Sequence, residues 1–172
     1  MNFKIGLFAL GLFMSALNAN SQKFGYINSA QIIEAHPKVS GANTDLETYQ
    51  KTMLDPFEVK GKAFQEKYKK YMEDANSGVM SQVVMEAKQN ELRTEQQALQ
   101  QEEQQLQFKI LQKREELLKP ILEEVDSIIQ VLGKEGQYTM IFDTSVSGAL
   151  LYAVEGDDLT ASVKSKCMAT KP

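Results

Sequence analysis

The chain has 172 residues, a formal net charge of −4, one His and one Cys. This length allows one domain with an elaboration, and the negative charge argues against nucleic acid as a partner. A single Cys excludes an intrachain disulfide, and we expect Cys167 to be an incidental surface thiol.

The first 21 residues have the pattern of a secretory signal peptide. Lys4 precedes an apolar run from Ile5 to Leu17, and small residues follow at Ala19 and Ser21. The run is shorter than the roughly 20 apolar residues that span a bilayer. We therefore predict cleavage after Ser21 and export of the mature chain. The mature chain, 22–172, keeps 18 basic and 23 acidic side chains, a net charge of −5.

The mature chain opens with a predicted strand and a short helix. KFGYIN, residues 23–28, is aromatic and β-branched, as strands are. Ser29 is a suitable N-cap for a helix over AQIIEA, which would bury Ile32 and Ile33. The pair His36-Pro37 would end this helix, because Pro restricts the residue before it. We expect His36 to be a loop residue.

From Ala42 to Ala75 the apolar residues recur at spacings of 3, 4 and 7, which fit the 3.5-residue repeat of a coiled coil. Pro56 interrupts the stretch and is expected to kink a helix. The apolar register continues across it, so we predict one bent helix rather than two. NSG, residues 76–78, is a turn signal. The apolar positions of the repeat are Leu46, Met53, Phe57, Phe64, Tyr68, Tyr71 and Ala75.

A second helix is predicted from about Met80 to Leu132. Its first half is rich in Gln and Glu, which are good helix formers, and has only a thin apolar seam. From Leu118 onward the apolar stripe thickens, and we expect burial there on more than one side. The predicted seam against the first helix consists of Leu92, Leu99, Leu106, Ile110 and Leu117.

Three short elements are predicted after this helix. QYTMIFD (137–143) alternates like a strand, and ALLYAV (149–154) reads as a second strand buried on nearly both faces. Asp158 or Thr160 would cap a final helix that buries Leu159 and Val163. The residues predicted to build an oligomerisation body are Phe24, Tyr26, Ile32, Ile33, Met140, Phe142, Leu150, Leu151 and Tyr152.

The predicted fold is α+β. Its strands come from both ends of the mature chain, residues 22–41 and 134–172, and form a small body. Two long helices in residues 42–133 form an antiparallel hairpin arm with its tip near 76–80. The arm holds 12 basic and 17 acidic side chains, a net charge of −5. So small a strand body buries too little surface to be stable alone, so we expect a homo-oligomer.

The sequence offers no catalytic, cofactor or metal-binding constellation. One His excludes a His-based zinc cluster, and no phosphate-binding or nucleophile-elbow motif occurs. We therefore predict no enzyme, no cofactor and no metal. Aromatic, Val and flexible Met side chains near the tip are too many for one seam and predict an adaptable binding surface. This surface comprises Tyr68, Tyr71, Met72, Val79, Met80, Val83, Val84 and Met85.

Over essentially its whole length, the mature chain resembles the Skp/OmpH family of periplasmic chaperones. The resemblance rests on KFGYINSAQIIEAHP, on GQYTMIFDTSVSGALLYAVEGDDLT, on the export signal and on the long Gln/Glu/Lys-rich hairpin. It implies a homotrimer in which three bodies share a small β-barrel. Three helical arms would project like tentacles around a cavity, where unfolded outer-membrane β-barrel proteins are held without ATP. The tip surface would then bind these clients.

The charge of the arm departs from this family. Its well-known members are basic, whereas this arm is acidic, which argues against contact with lipopolysaccharide or a membrane surface. Client binding should then depend weakly on salt, because salt mainly screens charge attraction. The alternative is a structural coiled-coil adaptor or spacer of the envelope with one dedicated partner. It explains the arm equally well but explains the apolar surplus near the tip less well.

Overall fold

The computed structural model describes residues 22–169, so the predicted signal peptide lies outside the described residues. It is mostly helical, with one two-stranded sheet. The described residues divide into two compact units, one of residues 22–32 and 126–169, the other of residues 33–125. The elements are β1 (Phe24–Ile27), α1 (Ser29–Glu34), α2 (Pro37–Asn76), α3 (Gln82–Glu135), β2 (Met140–Asp143), a 3-10 turn (Glu155–Asp157) and α4 (Thr160–Ala169).

The sheet joins the two ends of the chain. β1 and β2 run parallel, with Phe24 opposite Met140 and Ile27 opposite Asp143. Along the other edge of β1, the backbone N–H of Leu159 donates to the carbonyl of Tyr26 at 2.8 Å. The aromatic and β-branched residues thus form strands as predicted at both ends, although the second strand is shorter than QYTMIFD.

Gly25 is the one small residue in β1, and close packing requires it. A Cβ at this position would lie 2.9 Å from Leu159 Cδ1 and 2.9 Å from Tyr138 Cε1. Real side chains do not approach so closely, so any larger residue would push these two side chains away. The glycine lets Leu159, which directly precedes α4, and Tyr138, in the loop before β2, pack on the strand.

The core of the first unit, which contains the sheet, is small. Ile32 is fully buried, and Val163 and Cys167 of α4 are each 1 % exposed. The prediction that Cys167 is a surface thiol is therefore wrong: it faces inward on the same side of α4 as Val163, four residues earlier. The predicted cap of this helix is present, because the N–H of Thr160 donates to Asp158 Oδ1 at 2.8 Å.

ALLYAV does not form the predicted strand. Residues 149–154 have no regular secondary structure, and Leu151 and Tyr152 are 93 % and 84 % exposed rather than buried. Their composition favours an extended chain, but an extended chain becomes a strand only beside a hydrogen-bonding neighbour. In the described chain β1 is paired with β2 on one edge and bonded to Leu159 on the other.

In the second unit, α2 is a single helix of 40 residues that passes through Pro56 without a break. The prediction of one helix is confirmed, and it starts at Pro37 rather than near Ala42. Pro is favourable at the first helical position, where no N–H is needed. His36 is the N-cap: its Nδ1 accepts from the N–H of Lys38 at 3.2 Å. At 3 % exposure it is a buried capping residue rather than an ordinary loop residue.

α3 is longer still, with 54 residues from Gln82 to Glu135, or roughly 80 Å. Its Gln- and Glu-rich stretch contains no Gly or Pro, so nothing in it opposes a helix. Despite this length, no helix within residues 22–169 is apolar enough to cross a bilayer. Both predicted arm helices are thus present, with ends that shift by a few residues.

Candidate functional site

The arm is an antiparallel hairpin whose two helices stay in one register. Lys60 bonds Glu102, with Nζ 2.6 Å from Oε1, and Lys67 bonds Glu95, with Nζ 2.9 Å from Oε1. The two lysines are seven residues apart and so are the two glutamates. Farther along the arm, Lys113 Nζ lies 6.0 Å from the ring centre of Tyr49. Tyr49 precedes Lys60 by as many residues as Lys113 follows Glu102, so this contact has the same register. The hairpin therefore shows no slip between these contacts.

The seam between the helices is thin. Of the predicted seam residues, Leu92 and Leu106 are buried, whereas Leu99, Ile110 and Leu117 are half-buried. α2 contributes no fully buried residue at all within its 40 residues. Leu92 and Leu106 are 14 residues apart, two heptads, as is typical of a coiled-coil contact. The arm thus has little core, and much apolar surface lies outside the seam.

The predicted tip surface is largely exposed. α2 ends at Asn76, and Gly78 takes the left-handed conformation (φ 71°) that glycine adopts without strain. Val79 and Val83 are 84 % and 77 % exposed. Three further residues of the tip surface are exposed: Tyr68, Met72 and Val84. The last three are half-buried: Tyr71, Met80 and Met85.

A second apolar surface of the arm was missed by the sequence analysis. Phe108, Leu111 and Leu122 on α3 are 60 %, 52 % and 46 % exposed, and Leu118 is half-buried. The thickened stripe was expected to be buried on more than one side, and at Leu122 this is wrong. The spacing of these residues, 3, 7 and 4, gives one helix face distinct from the seam. The sequence shows that they share this face but does not show that the face is left uncovered.

The sheet unit also exposes apolar side chains. Among the predicted body residues, Ile32 is buried, and Tyr26, Ile33 and Leu150 are half-buried. The others are exposed: Phe24, Met140, Phe142, Leu151 and Tyr152. Phe24, Phe142, Leu150 and Tyr152 contribute to the wall of one open groove of about 330 Å³. Surface of this kind on a small unit marks an interaction site.

The charged groups that interact most strongly have structural roles. Burial would raise the pKa of Asp143, but hydrogen bonds from Ser29 and Ser145 lower it to about 2. A hydrogen bond from Lys38 lowers the pKa of Glu124. Nowhere in residues 22–169 do three His, Cys, Asp or Glu side chains converge as a metal site would require.

Comparison with known families gives one result that covers most of the chain. Residues 23–166 match the model of the family described as outer membrane protein (OmpH-like). The chain belongs to the OmpH-like family. The match begins one residue before β1 and ends within α4, so it includes both units. A comparison with curated proteins finds no match.

The fold of this OmpH-like protein also occurs in a solved structure. A crystal structure from Caulobacter crescentus CB15, provisionally assigned as an outer membrane chaperone (OmpH-like), superposes with a TM-score of 0.67. The two sequences are 17 % identical, and the superposition covers 87 % of this chain and 86 % of the other. At this identity the feature that the two chains share is the fold.

Proposed function

We propose that this OmpH-like protein is an ATP-independent holdase chaperone of the periplasm. It binds unfolded outer-membrane β-barrel proteins between its helical arms and prevents their aggregation. The observation that carries the proposal is the large exposed apolar surface of the arm, which the thin seam leaves uncovered. A helix that only connects or spaces two sites needs no such surface. Family membership and the fold shared with the Caulobacter protein support the same function.

Binding without a nucleotide or metal fits the side chains available. Unfolded chains expose apolar segments that exposed Val, Met and Leu side chains can cover, and Met adapts to many shapes. The proposed client contacts are the tip surface defined above and the α3 face with Phe108 and Leu122. The acidic arm gives no reason to expect an anionic lipid surface as a partner.

The proposed assembly is a homotrimer formed by the sheet units. The exposed side chains of Phe24, Met140 and Tyr152 would be covered by neighbouring copies. The extended segment 149–154 would then gain the hydrogen-bonding neighbour that it lacks in one chain. Export by cleavage of residues 1–21 would place this assembly where unfolded outer-membrane proteins pass.

The test is suppression of aggregation. An outer-membrane β-barrel protein in urea is diluted into buffer with the mature chain, residues 22–172, and light scattering is followed without ATP. We expect suppression near stoichiometric ratios. Replacing Val79 and Val83 by Ser should weaken suppression, while replacing exposed Lys62 by Ser should not. Unchanged aggregation in the presence of the native chain would overturn the proposal and favour the adaptor.

A further inference from the structure

An open groove lies between α2 and α3 in the distal half of the arm. Phe64, Tyr68, Tyr71 and Met72 of α2 and Leu92 and Arg93 of α3 line it, and its volume is about 320 Å³. We call it the aromatic groove. Its volume is within the range of roughly 300–1,000 Å³ that is usual for ligand pockets.

The groove exists because α2 contributes aromatic side chains to this part of the arm, whereas α3 contributes mostly polar ones. α2 presents three aromatic rings within eight residues, whereas α3 opposes them with Leu92 between the amides of Gln89 and Gln96. These polar side chains cannot bury the rings. Tyr68 consequently remains 49 % exposed although it occupies a position of the apolar repeat.

The rings are arranged to accept another ring. The centroids of Phe64 and Tyr68 are 6.4 Å apart, and those of Tyr68 and Tyr71 are 6.5 Å apart, with tilted planes. Aromatic side chains prefer such tilted arrangements at 4.5–7 Å. An aromatic side chain from another molecule could therefore extend the row, with Met72 as an adaptable neighbour.

Arg93 gives the groove a charge preference. Among the ion pairs of residues 22–169, none joins a carboxylate to its guanidinium. On the other side of Tyr71, by contrast, the lysines Lys67, Lys70 and Lys88 already lie beside Asp74 and Glu91. The aromatic groove thus has a cation but no carboxylate in its wall, so an anionic group on the ligand would complement it.

The polar rim suits a polypeptide backbone. Gln89 and Gln96 each carry a carbonyl acceptor and two amide donors. Phe64 and Tyr71 are seven residues apart, roughly 10 Å along the helix, and three residues of extended chain cover about the same length. The groove therefore matches a short extended segment better than a helix or a small rigid ligand.

We propose that the aromatic groove anchors an extended segment of an unfolded chain in which an aromatic residue is followed two positions later by Asp or Glu, because residues i and i+2 of an extended chain share one face. The ring packs beside Tyr68, and the carboxylate pairs with Arg93. This inference rests on the proposed holdase function and adds a sequence preference to it. A holdase with only diffuse apolar contacts would show no such preference.

The test uses fluorescein-labelled Gly/Ser peptides with a central Phe-Ser-Asp, Ala-Ser-Asp or Phe-Ser-Asn sequence, called the Phe-Asp, Ala-Asp and Phe-Asn peptides, titrated with the mature chain. Replacing Phe by Ala should weaken binding about tenfold or more, the effect of burying one aromatic side chain. Replacing Asp by Asn should weaken it about two- to fivefold, as for an exposed ion pair. That second difference should shrink as salt is raised.

Three variants locate the effect. Arg93→Gln should weaken binding of the Phe-Asp peptide to the level of Phe-Asn and leave Phe-Asn unchanged. Tyr68→Ala should weaken both peptides alike. Lys69→Gln is the matched control, because this exposed lysine lies outside the groove wall. Far-UV circular dichroism checks that each variant is helical.

Failure of this inference differs from failure of the holdase proposal. The proposed preference of the aromatic groove would be overturned if the three peptides bound equally. It would also be overturned if Lys69→Gln lost the preference for Asp as Arg93→Gln does. If the native chain still suppressed client aggregation in the same samples, the holdase function would stand without a sequence preference. If it did not, both proposals would fall.

Discussion

Asp143 fixes the end of β2 to the start of α1. Its carboxylate accepts from the N–H and the hydroxyl of Ser29 and from the N–H and the hydroxyl of Ser145. These bonds favour the charged form and outweigh burial, which acts in the opposite direction, so the pKa falls from 3.8 to about 2. The network links residues more than a hundred positions apart, which no local pattern in the sequence could predict.

A pH-dependent stability follows for Asp143. The pKa of Asp143 is lower in the folded chain than in the unfolded chain. Its contribution to the free energy of unfolding is therefore complete above about pH 4 and is lost as the pH falls through about 2. Asp143→Asn should therefore lower the free energy of unfolding by about 1–2 kcal/mol at neutral pH. Urea titrations followed by circular dichroism should show the gap between native protein and variant closing from pH 4 to pH 2. A gap that stays constant over this range would contradict the assignment.

His36 and Cys167 show where single residues escape sequence analysis. Both were expected to be unimportant surface or loop residues, and both are buried. His36 caps α2 through a ring nitrogen, a role that more often belongs to Ser, Thr, Asp or Asn. Cys167 is buried because α4 places it on the face of Val163. In both cases tertiary packing decides, and composition does not show it.

At the scale of elements, the helices were the most predictable feature. Their apolar repeat runs over many turns, and Gln, Glu and Lys between the repeats favour a helix. The strand at 149–154 was predicted wrongly because strand formation depends on a neighbour rather than on composition alone. The α3 face with Phe108 and Leu122 was missed because periodicity shows which residues share a face, not what covers it.

The thin seam makes a prediction about individual leucines of α3. Leu106 is 7 % exposed in the seam, whereas Leu111 on the same helix is 52 % exposed. Leu106→Ala should lower stability by about 2 kcal/mol, the small end of the range for buried leucines, and Leu111→Ala by less than about 0.5 kcal/mol. Both variants replace Leu by Ala within α3, so the change in helix propensity is the same. The difference in stability between them therefore reports the difference in burial.

Thermal unfolding followed at 222 nm compares the two variants. The midpoint should fall clearly for Leu106→Ala and hardly at all for Leu111→Ala. Equal losses would mean that the outer face of α3 is as well packed as the seam. In that case Leu111 would already be covered in the assembled protein, and it could not be a client contact.

At the scale of the whole molecule, two kinds of exposed apolar surface have different proposed partners. The sheet unit would bind its own copies, since Leu151 and Tyr152 lie beside strands with little core of their own. The arm would bind unfolded chains, since its apolar residues lie outside the helix seam. The sequence indicated both surfaces as a surplus of apolar residues, but it could not say which side chains the fold would leave uncovered.

The most direct test of this account is native mass spectrometry of residues 22–172 mixed with a urea-diluted outer-membrane β-barrel protein. We predict a homotrimer that carries one unfolded client. Leu151→Asp, at the proposed contact between copies, should shift the mass toward the monomer while the helical signal is retained. A native chain that stays monomeric and ignores the client would contradict the account and favour a coiled-coil adaptor.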